Sequence, residues 1–152
     1  MNIFRAFAVS ALVLVASVSA SGAHSHKTKT LEIVHPWTFA TEPGTQTIAV
    51  CMTVKSLAPK GDRLLSVSSP IASKVAYLRG DGVLEGAATG AQLRVEGRQT
   101  LEMSMTGDRF VLTGVEKALW AYDTFQMTLV FERAGRIVVD VLVEEVPGPQ
   151  PD

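Results

Sequence analysis

From Thr30 onward the chain never sustains a helical period, and this limits it more than any other feature. It is cut instead into short apolar or alternating runs separated by glycine and proline, a pattern that specifies an all-β fold. Strands are expected at Leu31–Val34, Thr47–Lys55, Arg63–Ser68, Lys74–Leu78, Ala91–Val95, Thr100–Met105, Phe110–Leu112, Thr124–Glu132 and Arg136–Glu144, where strand formers dominate. Glu42-Pro43-Gly44, Pro59-Lys60-Gly61-Asp62, Gly80-Asp81-Gly82, Gly97-Arg98 and Ala134-Gly135 supply the turns between them. The clearest local element is the last pair. Phe125, Met127, Leu129 and Phe131 alternate with polar or smaller residues, and a short connection leads into Ile137, Val139 and Val141, which predicts an antiparallel hairpin. Gly114–Tyr122 has room for one helical turn. Many strands at short spacing, each with one apolar set, point to a two-sheet sandwich or barrel.

The first 23 residues follow a different logic. Arg5 precedes the apolar run Ala6–Val18 and the small-residue stretch Ser19–Ala23, the order of charge, apolar core and cleavage site that signal peptidase reads. The run is too short for a permanent membrane helix, which needs about 20 residues, and no cysteine follows it to carry a lipid anchor. Cleavage is expected near Ala20 or Ala23, with no membrane anchor afterwards and a periplasmic or secreted destination. The chain then divides into a signal peptide (1–23), a polar leader (24–30), one domain (31–145) and a loose proline-rich tail (146–152).

Loss of Arg5 leaves 13 basic residues against 15 acidic ones, a net charge of about −2. Nucleic acid and anionic membranes both select a basic patch, which this composition does not provide. The single cysteine, Cys51, excludes an internal disulfide and sits in the apolar run Ile48–Val54, where a buried, inert thiol is expected. No Ser-His-Asp set, phosphate-binding loop or dinucleotide fingerprint is present, and Asp81 with Glu85 lacks a base or nucleophile beside it, so the sequence does not read as an enzyme.

His35-Pro36-Trp37, Ala40-Thr41-Glu42-Pro43-Gly44, Met52-Thr53-Val54, the run Asp62–Pro70, Gly114-Val115 and the closing Leu129–Gly135 together resemble the periplasmic copper chaperone family PCu(A)C over roughly Leu31–Val143. The resemblance implies a cupredoxin-like antiparallel β-sandwich. It also implies Cu(I) held by two His and two Met, and a copper-receiving respiratory protein as partner. Thioether sulfur favours Cu(I), and imidazole completes a site that can still release it. The residues depart from that pattern. The ligand positions fall at Leu78, within Gly82–Gly86, and at Arg109 and Val111, and no histidine lies between Val50 and Asp152. Leucine and valine offer no electron pair, and a guanidinium repels a cation. The internal Cu(I) site is therefore expected to be degenerate.

Other residues carry alternative chemistry. If cleavage follows Ala23, the mature chain begins His24-Ser25-His26. Its amine, two deprotonated amides and the His26 imidazole would then offer Cu(II) four planar nitrogens. Cleavage after Ala20 breaks that geometry and leaves a polar leader. Met103 and Met105 are either a thioether clamp on one strand face, with Met105 the better ligand candidate, or core filler. His35 is read as packing or capping. Trp37 with Phe39, and Trp120 with Tyr122, are expected to fill two points of the sandwich. Arg79-Gly80-Asp81 is an ordinary turn. Without copper, the fold would serve as a protein-interaction module, with Arg79 and Arg109 as its recognition residues.

Overall fold

The computed structural model describes residues 25–80 and 93–148. Among the described residues ten strands appear in order: β1 (Ser25–Lys27), β2 (Leu31–Phe39), β3 (Thr47–Ser56), β4 (Asp62–Ser68), β5 (Lys74–Leu78), β6 (Arg94–Val95), β7 (Thr100–Glu102), β8 (Arg109–Thr113), β9 (Thr124–Phe131) and β10 (Gly135–Glu144). They form one curled sheet in the order β5-β8-β3-β2-β10-β9-β4-β6, with β1 added to β2 and β7 to β3. Curling folds this sheet on itself as a β-sandwich. The all-β class and most strand positions agree with the residue pattern, and no helix occurs among the described residues. The Gly114–Tyr122 segment is loop.

The core follows directly from alternation. Phe125, Met127, Leu129 and Phe131 are at most 7% exposed, and across the hairpin Ile137, Val139 and Val141 are equally buried. Pairing runs from Gly135 opposite Phe131 to Leu142 opposite Thr124, so the expected hairpin is present in full. In β3, Val50, Cys51 and Met52 are all buried, because this strand has protein on both faces.

Several features differ from the sequence reading. The polar leader contains β1, whose Ser25 and Lys27 lie opposite Val34 and Glu32, although none of its side chains is buried. β2 runs five residues beyond Val34, through the His35-Pro36-Trp37 segment. One pair is parallel, with Leu142, Val143 and Glu144 of β10 beside Trp37, Thr38 and Phe39, so the sandwich is not wholly antiparallel. The strand expected at Thr100–Met105 stops at Glu102, where bonds from Ser104 N–H to Asp108 O and from Gly107 N–H to Ser104 O close a turn. Trp120 and Tyr122 fill nothing; they are 64% and 72% exposed. In the tail, Val146, Pro147 and Gly148 are exposed and outside any strand.

One buried charge ties distant turns together. The Asp62 carboxylate, in a residue only 5% exposed, accepts bonds from the N–H groups of Arg63 (2.8 Å), Arg133 (2.9 Å) and Ala134 (2.8 Å). It thereby caps the β9–β10 turn from the start of β4. Arg63 Nε to Glu132 Oε2 (3.2 Å) adds an exposed link of small value across the same junction. Asp62→Ala leaves buried donors unpaired and is expected to cost about 2–4 kcal/mol, whereas Asp62→Asn, which keeps an acceptor, should cost less. Urea denaturation of both variants measures the difference.

Candidate functional site

β5 and β8 pair so that Leu78 lies opposite Arg109, Tyr77 opposite Phe110 and Ala76 opposite Val111. Two of the positions matched by resemblance to copper ligands, Leu78 and Arg109, thus meet at one end of this strand pair, and a third, Val111, lies two residues further along β8. What stands there is an internal polar network. Asp108 Oδ2 accepts the Tyr77 hydroxyl at 2.5 Å, and Oδ1 accepts the Gly80 N–H at 2.8 Å. Arg109 Nη1 donates to Gly80 O at 2.8 Å and Gly107 O at 2.7 Å. Two consecutive charged side chains therefore hold both the N–H and the C=O of Gly80, whose φ of 57° suits glycine. Burial pushes the Tyr77 phenol up, and its bond to Asp108 and that carboxylate's charge push it further, against a small opposing pull from Arg79. Leu78 and Val111 are core residues, 7% and 5% exposed.

The soft donors nearby are placed as packing groups. Met103 is 8% exposed and donates its N–H to Met52 O at 3.1 Å, while half-buried Met105 packs against the core from within the turn. Because β7 has already ended, strand alternation does not set the two sulfurs on one face. Cys51 is fully buried; desolvation raises its pKa to about 11, with Arg109 pulling weakly the other way.

The remaining candidates lie apart from this network. His35 sits at a bulge with φ 51°, its Nε2 pairs with Glu144 Oε1 at 2.8 Å, and its ring stacks with Trp37 at 6.4 Å. Trp37 meets Phe39 edge-on at 4.9 Å. His26 is exposed in β1, opposite Ile33, and Arg79 is exposed just after β5. His24, Asp81, Glu85 and the Gly82–Gly86 segment lie outside the described residues. Among the described residues no group of three or more His, Cys, Asp or Glu is placed to hold a metal ion. Tyr77 and Asp108, which complete the network, were not singled out by the sequence. The adjacent charges Asp108-Arg109 at the mouth of an apolar strand were the available signal.

This architecture, a curled all-β sandwich, defines a cupredoxin-like domain of the PCuAC class. A copper-bound PCuAC domain from PmoF2 superposes with a TM-score of 0.70 at 27% identity, covering 81% of this chain and 99% of that one. An apo PCuAC domain from PmoF1 gives 0.71 at 22% identity over 81% and 100% of the two chains. The Cu(I) form of DR1885 from Deinococcus radiodurans gives 0.58 at 22% identity over 72% and 74%. No curated protein matches the chain. Residues 31–143 match the family described as "Putative lipoprotein LpqE-like", and the chain belongs to that LpqE-like family.

The raised Cys51 pKa has a signed consequence. A thiol whose folded pKa exceeds its unfolded value of 9.0 stabilises the fold below pH 9, and that contribution is lost as pH rises towards about 11. Native protein at pH 8 is expected to resist thiol alkylation until denatured, and its stability should fall between pH 9 and 11. In Cys51→Ala that part of the fall should vanish, as read by urea denaturation across the same range.

Proposed function

We propose that this is an exported copper-handling protein of PCuAC type in which the internal Cu(I) site has been replaced by the Asp108–Arg109 network. The observation that carries this reading is the fold shared with a copper-bound PCuAC domain, combined with a guanidinium at a position matched by resemblance to a ligand. A fixed positive charge bonded to Gly80 O and Gly107 O would oppose Cu(I) entry there. The copper-receiving protein, by the same resemblance, would be a respiratory copper protein in the periplasm.

In this reading the remaining metal chemistry lies at the N-terminus, in His24-Ser25-His26 exposed by cleavage after Ala23. Square-planar Cu(II) would require the deprotonated amides of both Ser25 and His26 on one ion. In a strand, successive N–H groups point to opposite edges, and Ser25 and His26 are consecutive residues of β1. Cu(II) binding would therefore lift β1 from β2. No β1 side chain is buried, so little packing opposes this. Met105, half-buried against the core, would remain a packing residue.

The second reading, a protein-interaction module without metal, is favoured by the exposure of Arg79, which leaves its guanidinium open to a partner carboxylate. Arg109 has Nη1 committed to internal carbonyls and would serve that surface only indirectly.

Titration of the exported protein separates the readings. Anaerobic Cu(I) against a chelating competitor should show no tight site. Cu(II) should bind once per chain when mass spectrometry gives His24 as the first residue, and binding should disappear when residues 24–27 are deleted. Amide exchange at Glu32–Val34 should accelerate on Cu(II) binding. Tight Cu(I) binding that survives the deletion would restore an internal site, and absence of both ions would favour the interaction module.

A further inference from the structure

At the opposite end of β5 and β8 from the Asp108–Arg109 network, the connections β4–β5 and β8–β9 enclose a cleft of about 800 Å³. That volume lies in the range of built binding sites, roughly 300–1,000 Å³. Ile71, Leu119, Phe125 and Val143 give it an apolar lining, while Glu116, Lys117, Tyr122 and Asp123 bring polar groups to it. Trp120 stands between the lining residues Leu119 and Tyr122 and is itself largely exposed. We propose that this cleft and its two exposed aromatic rings dock an extended, proline-containing segment of a partner protein that carries a positive charge.

Three observations support that occupant. The aromatic turn is held in shape. Tyr122 adopts φ 73°, a left-handed conformation costing a non-glycine residue about 1–3 kcal/mol. It is fixed there by Tyr122 N–H to Val143 O (2.7 Å), Val143 N–H to Asp123 O (2.9 Å) and Asp123 N–H to Trp120 O (3.2 Å). The Glu145 carboxylate beside the Tyr122 hydroxyl engages it from the strand end, first by hydrogen bonding and then by charge, raising its pKa. The same turn leaves the Trp120 and Tyr122 rings exposed to solvent.

The chemistry of those rings matches one ligand class. A polyproline-type segment has no internal hydrogen bonds, so its carbonyls are free acceptors, and aromatic-lined grooves receive its rings at low entropic cost. The Trp120 indole N–H is a donor without acceptor capacity. Charge selects further. Glu116 and Asp123 in the lining, with Glu145 near Tyr122, outnumber Lys117 and the exposed Lys74 beside Ser73, so a cation on the segment is attracted. This disfavours the chain's own tail, Val146–Asp152, which has prolines but whose only charged side chain is Asp152. Where that tail is described, Val146 is 61% exposed.

The test uses the exported protein and three synthetic ten-residue peptides: one proline-rich with two arginines, one with glutamate for each arginine, and one with Gly/Ser for each proline. Binding is followed by tryptophan fluorescence and calorimetry. The arginine-containing proline peptide should bind, the other two at least tenfold more weakly. Trp120→Ala should weaken binding at least tenfold with an unchanged melting temperature, and Glu116→Gln with Asp123→Asn should weaken it severalfold and flatten its salt dependence. No binding at millimolar peptide, equal binding of the glutamate peptide, or indifference to Trp120→Ala would each overturn the proposal. Binding seen only after removal of residues 146–152 would identify the tail as the occupant and also overturn it.

Discussion

The sandwich depends on a change of neighbour along β2. On one side this strand pairs with β3 throughout most of its length; on the other it pairs first with β1 at Glu32–Val34 and then with β10 at Trp37–Phe39. The switch falls on the bulge between Val34 and Trp37, where His35 takes φ 51° and Pro36 has no N–H to give a ladder. His35 Nε2 bonded to Glu144 fastens the far side of the switch to the end of β10. Because β10 then carries β9, β4 and β6, the entire second half of the sheet is reached through this short parallel contact. The β1 strand occupies the lane beside β2 that β10 leaves empty, which explains why a segment without buried side chains is ordered at all.

Most of the fold was legible because most of it is local. Alternation in Phe125–Phe131 and Ile137–Val141 fixes which face is buried, and the short Glu132–Ala134 connection fixes the hairpin register. The misread parts are those decided by distant partners. Nothing within Ser25–Lys27 marks it as a strand; the β2 edge does. Nothing within Trp37–Phe39 announces a parallel neighbour more than a hundred residues away in sequence. Met103 and Met105 show the reverse failure, where local alternation was overridden by the Ser104–Asp108 turn.

The candidate site divides along the same line. Resemblance placed Leu78, Arg109 and Val111 together, and the β5–β8 register sets Leu78 opposite Arg109 at one strand end with Val111 two residues away. It did not indicate that Asp108 would reach the Tyr77 hydroxyl or that Arg109 would turn inward to Gly80 O, since both bonds join residues about thirty positions apart in sequence. The same holds for Trp120 and Tyr122. Aromatic residues in an apolar context read as core, whereas both rings lie in the exposed β8–β9 connection, whose path no local pattern specifies.

The two ends of β5 and β8 thus carry opposite solutions to the cost of polar and apolar groups. At the Leu78–Arg109 end, the Asp108 and Arg109 charges are bonded to Tyr77, Gly80 and Gly107, within the domain itself. At the Ser73–Gly114 end, aromatic rings are turned outward beside a cleft lined by Glu116, Lys117 and Asp123. A domain that spends its polar groups on self-bonding at one end and leaves aromatic area uncovered at the other is physically suited to recognition at the second end. Five-residue strands separate the two, a span of about 17 Å at 3.3 Å per residue. At that distance a unit charge acts with about 1 kcal/mol at an effective dielectric of about 20, so Arg109 matters less to what the cleft binds than the carboxylates lining it.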